Sequence, residues 1–88
     1  MADLEKFMAD IEAVLEHMIA QQRVKVVDVA LDILPHLTPE DVKNPQDYPE
    51  IAEDATFNFE DGLLAGLMSA RMALRSQIFN DHRPTTSE

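Results

Sequence analysis

The sequence predicts an all-α fold, a small helical bundle of two to three main helices joined by an ordered, proline-rich crossover. Three observations indicate this class. Apolar residues recur at spacings of three and four over two long stretches, four of the five prolines cluster between residues 35 and 49, and the 88 residues match the size of one domain. A domain this short has a modest core, and dimerisation is one way of completing it.

The first helix is expected over residues 3–20. Asp3 can cap its start, and Glu5 lies in the first turn, where the helix dipole favours an acid. Most of the other polar positions are charged, which is typical of an amphipathic helix that lies on a core. The apolar residues share one stripe, and they are Leu4, Phe7, Met8, Ile11, Val14, Leu15, Met18 and Ile19.

A second helix is expected over residues 24–35. If the apolar spacing of the first helix continued, its next positions would be Gln22 and Lys25, which are polar. A new series of apolar positions with helical spacing starts at Val24. Two interpretations fit this pattern: one long helix whose apolar stripe rotates, or a turn near residues 21–23 followed by a new helix. No glycine or proline forces a turn, but the phase break slightly favours one. Strict alternation fails in this stretch, which argues against a strand.

The crossover between Pro35 and the last helix is expected to be ordered. The stretch "TPED" is a helix-start signal, with Thr38 as the cap and Pro39 at the first helical position. A second single helical turn is expected after Pro49. Six apolar residues are expected to anchor this segment to the core, and they are Leu37, Val42, Tyr48, Ile51, Phe57 and Phe59.

The last helix is expected over residues 59–79, and it contains both glycines of the chain. Glu60 and Asp61 lie in its first turn, where acids are favourable. We therefore expect a single helical domain over residues 1–80 and a disordered C-terminal tail over residues 81–88.

Small residues recur along the last helix and predict a groove for a neighbouring helix. Glycine inside a helix costs about 1 kcal/mol relative to alanine, so its presence requires a reason. Small side chains let a second backbone approach closely and gain dispersion contacts. On this interpretation, leucine in place of Gly66 loosens the domain. The predicted groove consists of Gly62, Gly66, Ala70 and Ala73.

The same helix has a second apolar face, and one small core cannot cover both faces. Exposed apolar faces commonly mark interfaces, and methionines suit an adaptable interface. The alternative is that the crossover folds back and covers this face with Tyr48, Ile51 or Phe57. The predicted interface consists of Leu64, Met68, Arg71, Met72, Arg75 and Phe79.

Charge and composition narrow the classes of partner and the compartment. The net charge is −10, and no basic residue lies between Lys43 and Arg71. Such a surface repels nucleic-acid backbones and anionic membranes, so we expect neither as a direct partner. The chain begins without the pattern of a signal peptide, has no apolar run of membrane-spanning length and contains no cysteine. These features predict a cytoplasmic protein.

Patterns typical of catalysis or metal binding are weak. The three histidines lie in unrelated settings without metal-ligand spacing. The stretch that starts at Asp54 alternates like a calcium loop, but Phe59 and Ala65 stand where a glycine and a glutamate are needed. Glu12 and Glu16 share a helical face without the histidine of a carboxylate metal site. We therefore expect no enzyme activity, no catalytic residue, no cofactor and no metal.

Three hypotheses for the function remain. The first is a non-catalytic protein–protein interaction module, a small acidic adaptor, assembly factor or chaperone-like subunit that presents its last helix to a protein partner or to itself as a homodimer. The second is an acidic decoy that mimics nucleic acid and binds a basic protein through the six acids between residues 47 and 61. The third is a small enzyme or metal protein whose site the sequence does not reveal. The sequence favours the first.

Overall fold

A computed structural model, which describes residues 2–79, confirms the all-α fold. Two long helices dominate it, and the short helical turns of the crossover join them. In chain order the elements are α1 (Ala2–Ile33), α2 (Pro39–Val42), a 3₁₀ turn (Pro45–Asp47), α3 (Pro49–Ala52), α4 (Ala55–Leu74) and a π-helical turn (Arg75–Phe79). No strand occurs within residues 2–79, and the predicted tail over residues 81–88 lies outside them.

The helices α1 and α4 pack side by side in antiparallel directions. Arg71 Nη1 lies 2.9 Å from Glu16 Oε1, and one turn further along α4 Arg75 pairs with Glu12. Residue numbers therefore rise along α4 as they fall along α1. With its 32 residues α1 is about 48 Å long. This length accounts for the longest dimension of the molecule, which is 53 Å.

The helix α1 is continuous, so the long helix with a rotated apolar stripe is the correct one of the two interpretations, and the slightly favoured turn near residues 21–23 is not formed. The reason lies at Gln22, which is buried although polar. Its Nε2 donates hydrogen bonds to the backbone oxygen of Glu60 at 3.0 Å and to Glu60 Oε1 at 2.6 Å. The buried stripe can therefore pass through a polar position, while the apolar Val24 is left exposed. The hydrogen bonds from Gln22 to Glu60, and not a turn, therefore account for the shift in the apolar pattern.

The main core lies where the crossover packs against the C-terminal half of α1 and the first half of α4. Ala30 and Ile51 have no exposed surface, and Phe57 has almost none. The crossover is therefore anchored as predicted, except at Phe59, which α4 turns towards solvent. The buried cluster draws on all four α-helices and the α1–α2 connection, and it consists of Ile19, Val26, Ala30, Leu37, Val42, Ile51, Phe57 and Leu64.

Local caps determine where the helices of the crossover and α4 begin. Thr38 Oγ1 accepts a hydrogen bond from the Asp41 backbone N–H at 3.2 Å, and Asp41 Oδ2 accepts one from the Thr38 N–H at 3.0 Å. The predicted helix start at Thr38 is thereby confirmed as a reciprocal capping box. Asp54 Oδ1 accepts a hydrogen bond from the Phe57 N–H at 2.8 Å. Because Asp54 is the cap, α4 starts at Ala55, earlier than the sequence predicts.

The substitution Ile51→Ala tests the anchoring of the crossover. It truncates a fully buried side chain of α3, and truncations of this kind lower the free energy of unfolding by about 2–5 kcal/mol. We expect a loss in this range from urea unfolding followed by circular dichroism. Val24→Ala, which trims an exposed side chain of α1, is the control and should cost far less. Similar losses for both variants would contradict the anchoring role of Ile51.

The capping box also predicts a measurable shift in the titration of Asp41. Hydrogen bonds from the backbone N–H and the hydroxyl of Thr38 lower the pKa of Asp41 from its ordinary value of 3.8. Because folding lowers this pKa, the carboxylate stabilises the fold fully above pH 3.8 and loses that effect as the pH falls through the lowered value. An NMR titration of the Asp41 carboxyl carbon should therefore give a midpoint below 3.8, which Thr38→Ala should raise. Because the backbone N–H of residue 38 is kept in Thr38→Ala, an unchanged midpoint would contradict the contribution of the hydroxyl to the lowered pKa of Asp41.

Candidate interaction face

The structure corrects the predicted interface on α4. Leu64 is buried and Met68 is half-buried, because both face the contact with α1. Met72 alone is largely exposed among the apolar members that the structure describes, at 67%. The contact with α1 thus covers the second face of α4 at Leu64 and partly at Met68, whereas Met72 is left open. The side chain of Phe79 lies outside the described part of the chain.

The two arginines of the predicted interface bind α1 instead of projecting towards a partner. Arg71 pairs with Glu16, and Arg75 pairs with Glu12. On the same side, Arg23 Nη2 lies 3.8 Å from the sulfur of Met68. Exposed pairs of this type contribute about 1 kcal/mol or less. They nevertheless line one side of the contact between the long helices. We call it the ion-paired side.

The predicted groove of small residues is not occupied by any described part of this chain. A Cβ atom added at Gly62 or at Gly66 would have no neighbour within 4 Å. Ala70 and Ala73 are exposed as well. No described helix of this chain fills the predicted groove, because α4 turns the glycines away from α1, and a groove for a helix of another chain stays a prediction. These small residues form part of the open surface of α4.

Large apolar side chains of both long helices are exposed next to their contact. On α1, Phe7, Val14 and Met18 are 62%, 59% and 43% exposed, and their spacing of seven and four places them in one stripe. On α4, Leu63 is 44% exposed. The stripes, with the half-buried and small residues between them, form what we call the open apolar face. It consists of Phe7, Ile11, Val14, Met18, Leu63, Leu67, Ala70 and Leu74.

Helical geometry places the two stripes on the same side of the molecule, opposite the ion-paired side. Successive residues of an α-helix are rotated by about 100°. Viewed along the axis of α1, side chains point first to the ion-paired side at Glu12, then to α4 at the buried Met8, and then to the open apolar face at Phe7. Around α4 they pass from Arg75 through the buried residues to Leu63. Because the helices are antiparallel, one observer sees the rotation around α1 as clockwise and the rotation around α4 as anticlockwise, or the reverse. Phe7 and Leu63 therefore lie on the same side of the helix pair.

The crossover leaves this face open because it packs elsewhere. Its buried residues join a cluster whose first member on α1 is Ile19. The stripe from Phe7 to Met18 precedes that point in α1, where the buried Met8 faces the C-terminal half of α4. The open apolar face therefore lies at the end of the molecule where the two long helices stand side by side.

A cleft of about 570 Å³ between α1, α2 and the start of α4 is a second concave feature. Valine, proline and leucine side chains form its floor. The charged residues at its rim have both signs, and they are Arg23, Asp28, Lys43 and Asp61. Since this rim favours neither an anion nor a cation, the cleft supports no particular class of ligand.

The acids of the decoy hypothesis divide into two kinds. Asp54 caps α4 and Glu60 accepts from Gln22, so these two carboxylates have partners within the fold. Asp47, Glu50 and Glu53 are exposed, and the sixth acid, Asp61, is half-buried at the rim of the cleft. Within residues 2–79 no group of three or more acidic, histidine or cysteine side chains is placed to hold a metal ion. None of the helices in this range combines the length and apolar character that a membrane span requires.

Comparisons with protein families, with curated proteins and with solved structures gave no significant match. The geometry of the open apolar face is therefore the observation on which a functional proposal rests. Sequence reasoning placed the exposed surface on α4 alone and missed Phe7, Val14 and Met18. Their signal was present, because the apolar stripe predicted for the first helix is wider than one neighbouring helix can bury.

Alanine at Gly66 tests the corrected position of the small residues. No atom restricts a side chain there and no glycine of the described chain has positive φ, so Gly66→Ala should raise the free energy of unfolding by about 0.5–1 kcal/mol. Gly66→Leu should fold as well, in contrast to the expectation from the groove. Ala30→Leu is the matched control, since it overfills a fully buried position and should lower the melting temperature. Unfolding of Gly66→Leu would restore the groove interpretation.

Proposed function

We propose that this chain is a non-catalytic helical interaction module that binds a protein helix through the open apolar face. The observation that carries this proposal is the joint exposure of Phe7, Val14, Met18 and Leu63 on one side of the paired long helices. A contiguous apolar surface of this kind commonly marks a binding site. Adaptor, assembly-factor and chaperone-like roles all use such a surface, and the proposal covers this class.

The shape of the face suits a helical partner. Two helices that pack at an interaxial distance of about 8–10 Å leave a shallow groove between their outer stripes. Residues 4–18 of α1 provide about 22 Å of that groove, which equals about four helical turns of a partner. An amphipathic helix can lay its apolar stripe along it and present side chains at spacings of three and four.

The chemistry of the face predicts how binding responds to salt. None of its eight residues carries a charge, so burial of apolar surface supplies the attraction, and added salt does not weaken it. The decoy hypothesis predicts the opposite response of binding to salt. Binding through exposed acids such as Asp47, Glu50 and Glu53 depends on charge attraction and is lost at high salt.

Capture from a nuclease-treated native extract tests the proposal with a charge placed on or off the face. Immobilised wild-type chain should retain a protein at high salt, whether a foreign chain or its own copy, in stoichiometric amount. Leu63→Asp should abolish this retention, because an acid then enters the apolar contact. Ala65→Asp adds the same charge at an exposed position of α4 outside the face and should retain the protein.

Two results would contradict the proposed face. Equal retention by Leu63→Asp and Ala65→Asp would show that binding uses another surface. Release of the bound protein by salt alone, with a basic protein as the released species, would favour the acidic decoy. Circular dichroism of both variants supplies the folding control, since both substitutions lie at exposed positions.

A further inference from the structure

We infer that the occupant of the open apolar face is a second copy of this chain, in a twofold-symmetric four-helix bundle in which each α1 lies antiparallel on α4 of the other copy. This inference rests on the proposed function and names the partner of the same face. With a twofold axis parallel to the helices, the two open faces meet. Every helix then has antiparallel neighbours, as α1 and α4 already have within one chain.

The distribution of charge favours this arrangement. Residues 62–79 contain no acidic residue, although the whole chain has a net charge of −10. On α1, by contrast, Asp3 and Asp10 are exposed along the outer edge of the apolar stripe, and Lys6 pairs with Asp10 at 3.0 Å. If α1 lay on α1 of the other copy, these acidic edges would face each other. With α1 on the acid-free part of α4, each acidic edge meets an uncharged surface, because Arg71 and Arg75 pair with glutamates of their own α1 on the ion-paired side.

The sizes of the side chains also match between α1 and α4 of the other copy. The pairs Glu16–Arg71 and Glu12–Arg75 show that α1 near Val14 and Met18 lies level with residues 69–73 of α4. An axis parallel to the helices preserves these levels. The two large side chains of one copy therefore meet the exposed alanine of the other, Ala70, which leaves room for them. Because the dimer is twofold symmetric, the same contact between α1 and α4 of the other copy forms twice.

The face is close in size to the smallest specific interfaces. It is about 22 Å long and, across two helices, about 20 Å wide. Two faces of this size have a flat area of about 880 Å² together, and the relief of their side chains brings the buried accessible surface towards the lower limit of about 1,200 Å² for specific and stable interfaces. The uncharged interior means that no unpaired charge is desolvated when the copies meet.

Light scattering of the purified chain at high salt tests the second copy directly. The wild-type mass should be twice the chain mass of 9.9 kDa. Ala70→Glu and Val14→Lys should each reduce it to the chain mass, because a lone charge is then buried. Ser69→Glu is the control for Ala70→Glu: it adds the same charge one residue earlier, at an exposed position outside the face, and should remain dimeric.

Mixing the two monomeric variants tests the arrangement of the helices. With α1 on α4 of the other copy, one contact joins the new lysine at position 14 to the new glutamate at position 70, and the second contact is wild type. The mixture should therefore recover the dimer mass, although neither variant does so alone. A mixture that stays monomeric would overturn this arrangement.

The outcomes also separate this inference from the proposed function. A wild-type chain of monomeric mass that retains a foreign protein through Leu63 would overturn the second copy and leave the interaction module intact. A chain that neither associates with itself nor retains a protein would overturn both.

Discussion

The antiparallel contact between α1 and α4 determines which apolar residues are buried and which remain exposed. A helix with one neighbour buries a single stripe, whereas the apolar arc of α1 is wider than one stripe. In its C-terminal half the crossover supplies a second neighbour, and residues such as Ala30 become fully buried. In its N-terminal half α1 buries one stripe against α4, so Phe7 and Val14, which lie outside that stripe, stay exposed.

Polar contacts determine how α4 is rotated against α1, although each contributes little stability. The exposed pairs of Arg71 and Arg75 with glutamates of α1 are worth about 1 kcal/mol or less each. The contact of Gln22 with Glu60 is less replaceable, because a buried amide without a partner costs about 1–3 kcal/mol. A different rotation of α4 would move Glu60 away from this amide, so the contact favours the observed set of outward-facing apolar residues.

The molecule separates its charge from its apolar surface. Within residues 2–79 the acids lie on α1, on the crossover and at the start of α4, whereas residues 62–79 have none. The net negative charge repels other acidic molecules at long range, whereas the uncharged face has only short-range apolar contacts to offer. This separation agrees with the proposed interaction module, in which apolar contact would supply the binding free energy.

The sequence by itself determined the all-α class, the capping box at Thr38 and the surplus of apolar surface, because each depends on local spacing and cap chemistry. It did not determine that α1 is continuous, or that Leu63 is exposed while its neighbour Leu64 is buried. Only the tertiary structure decided these points. The rotation of a helix about its axis depends on what its neighbour offers at each level, and the partner that makes Gln22 acceptable in the buried stripe, Glu60, lies 38 residues away.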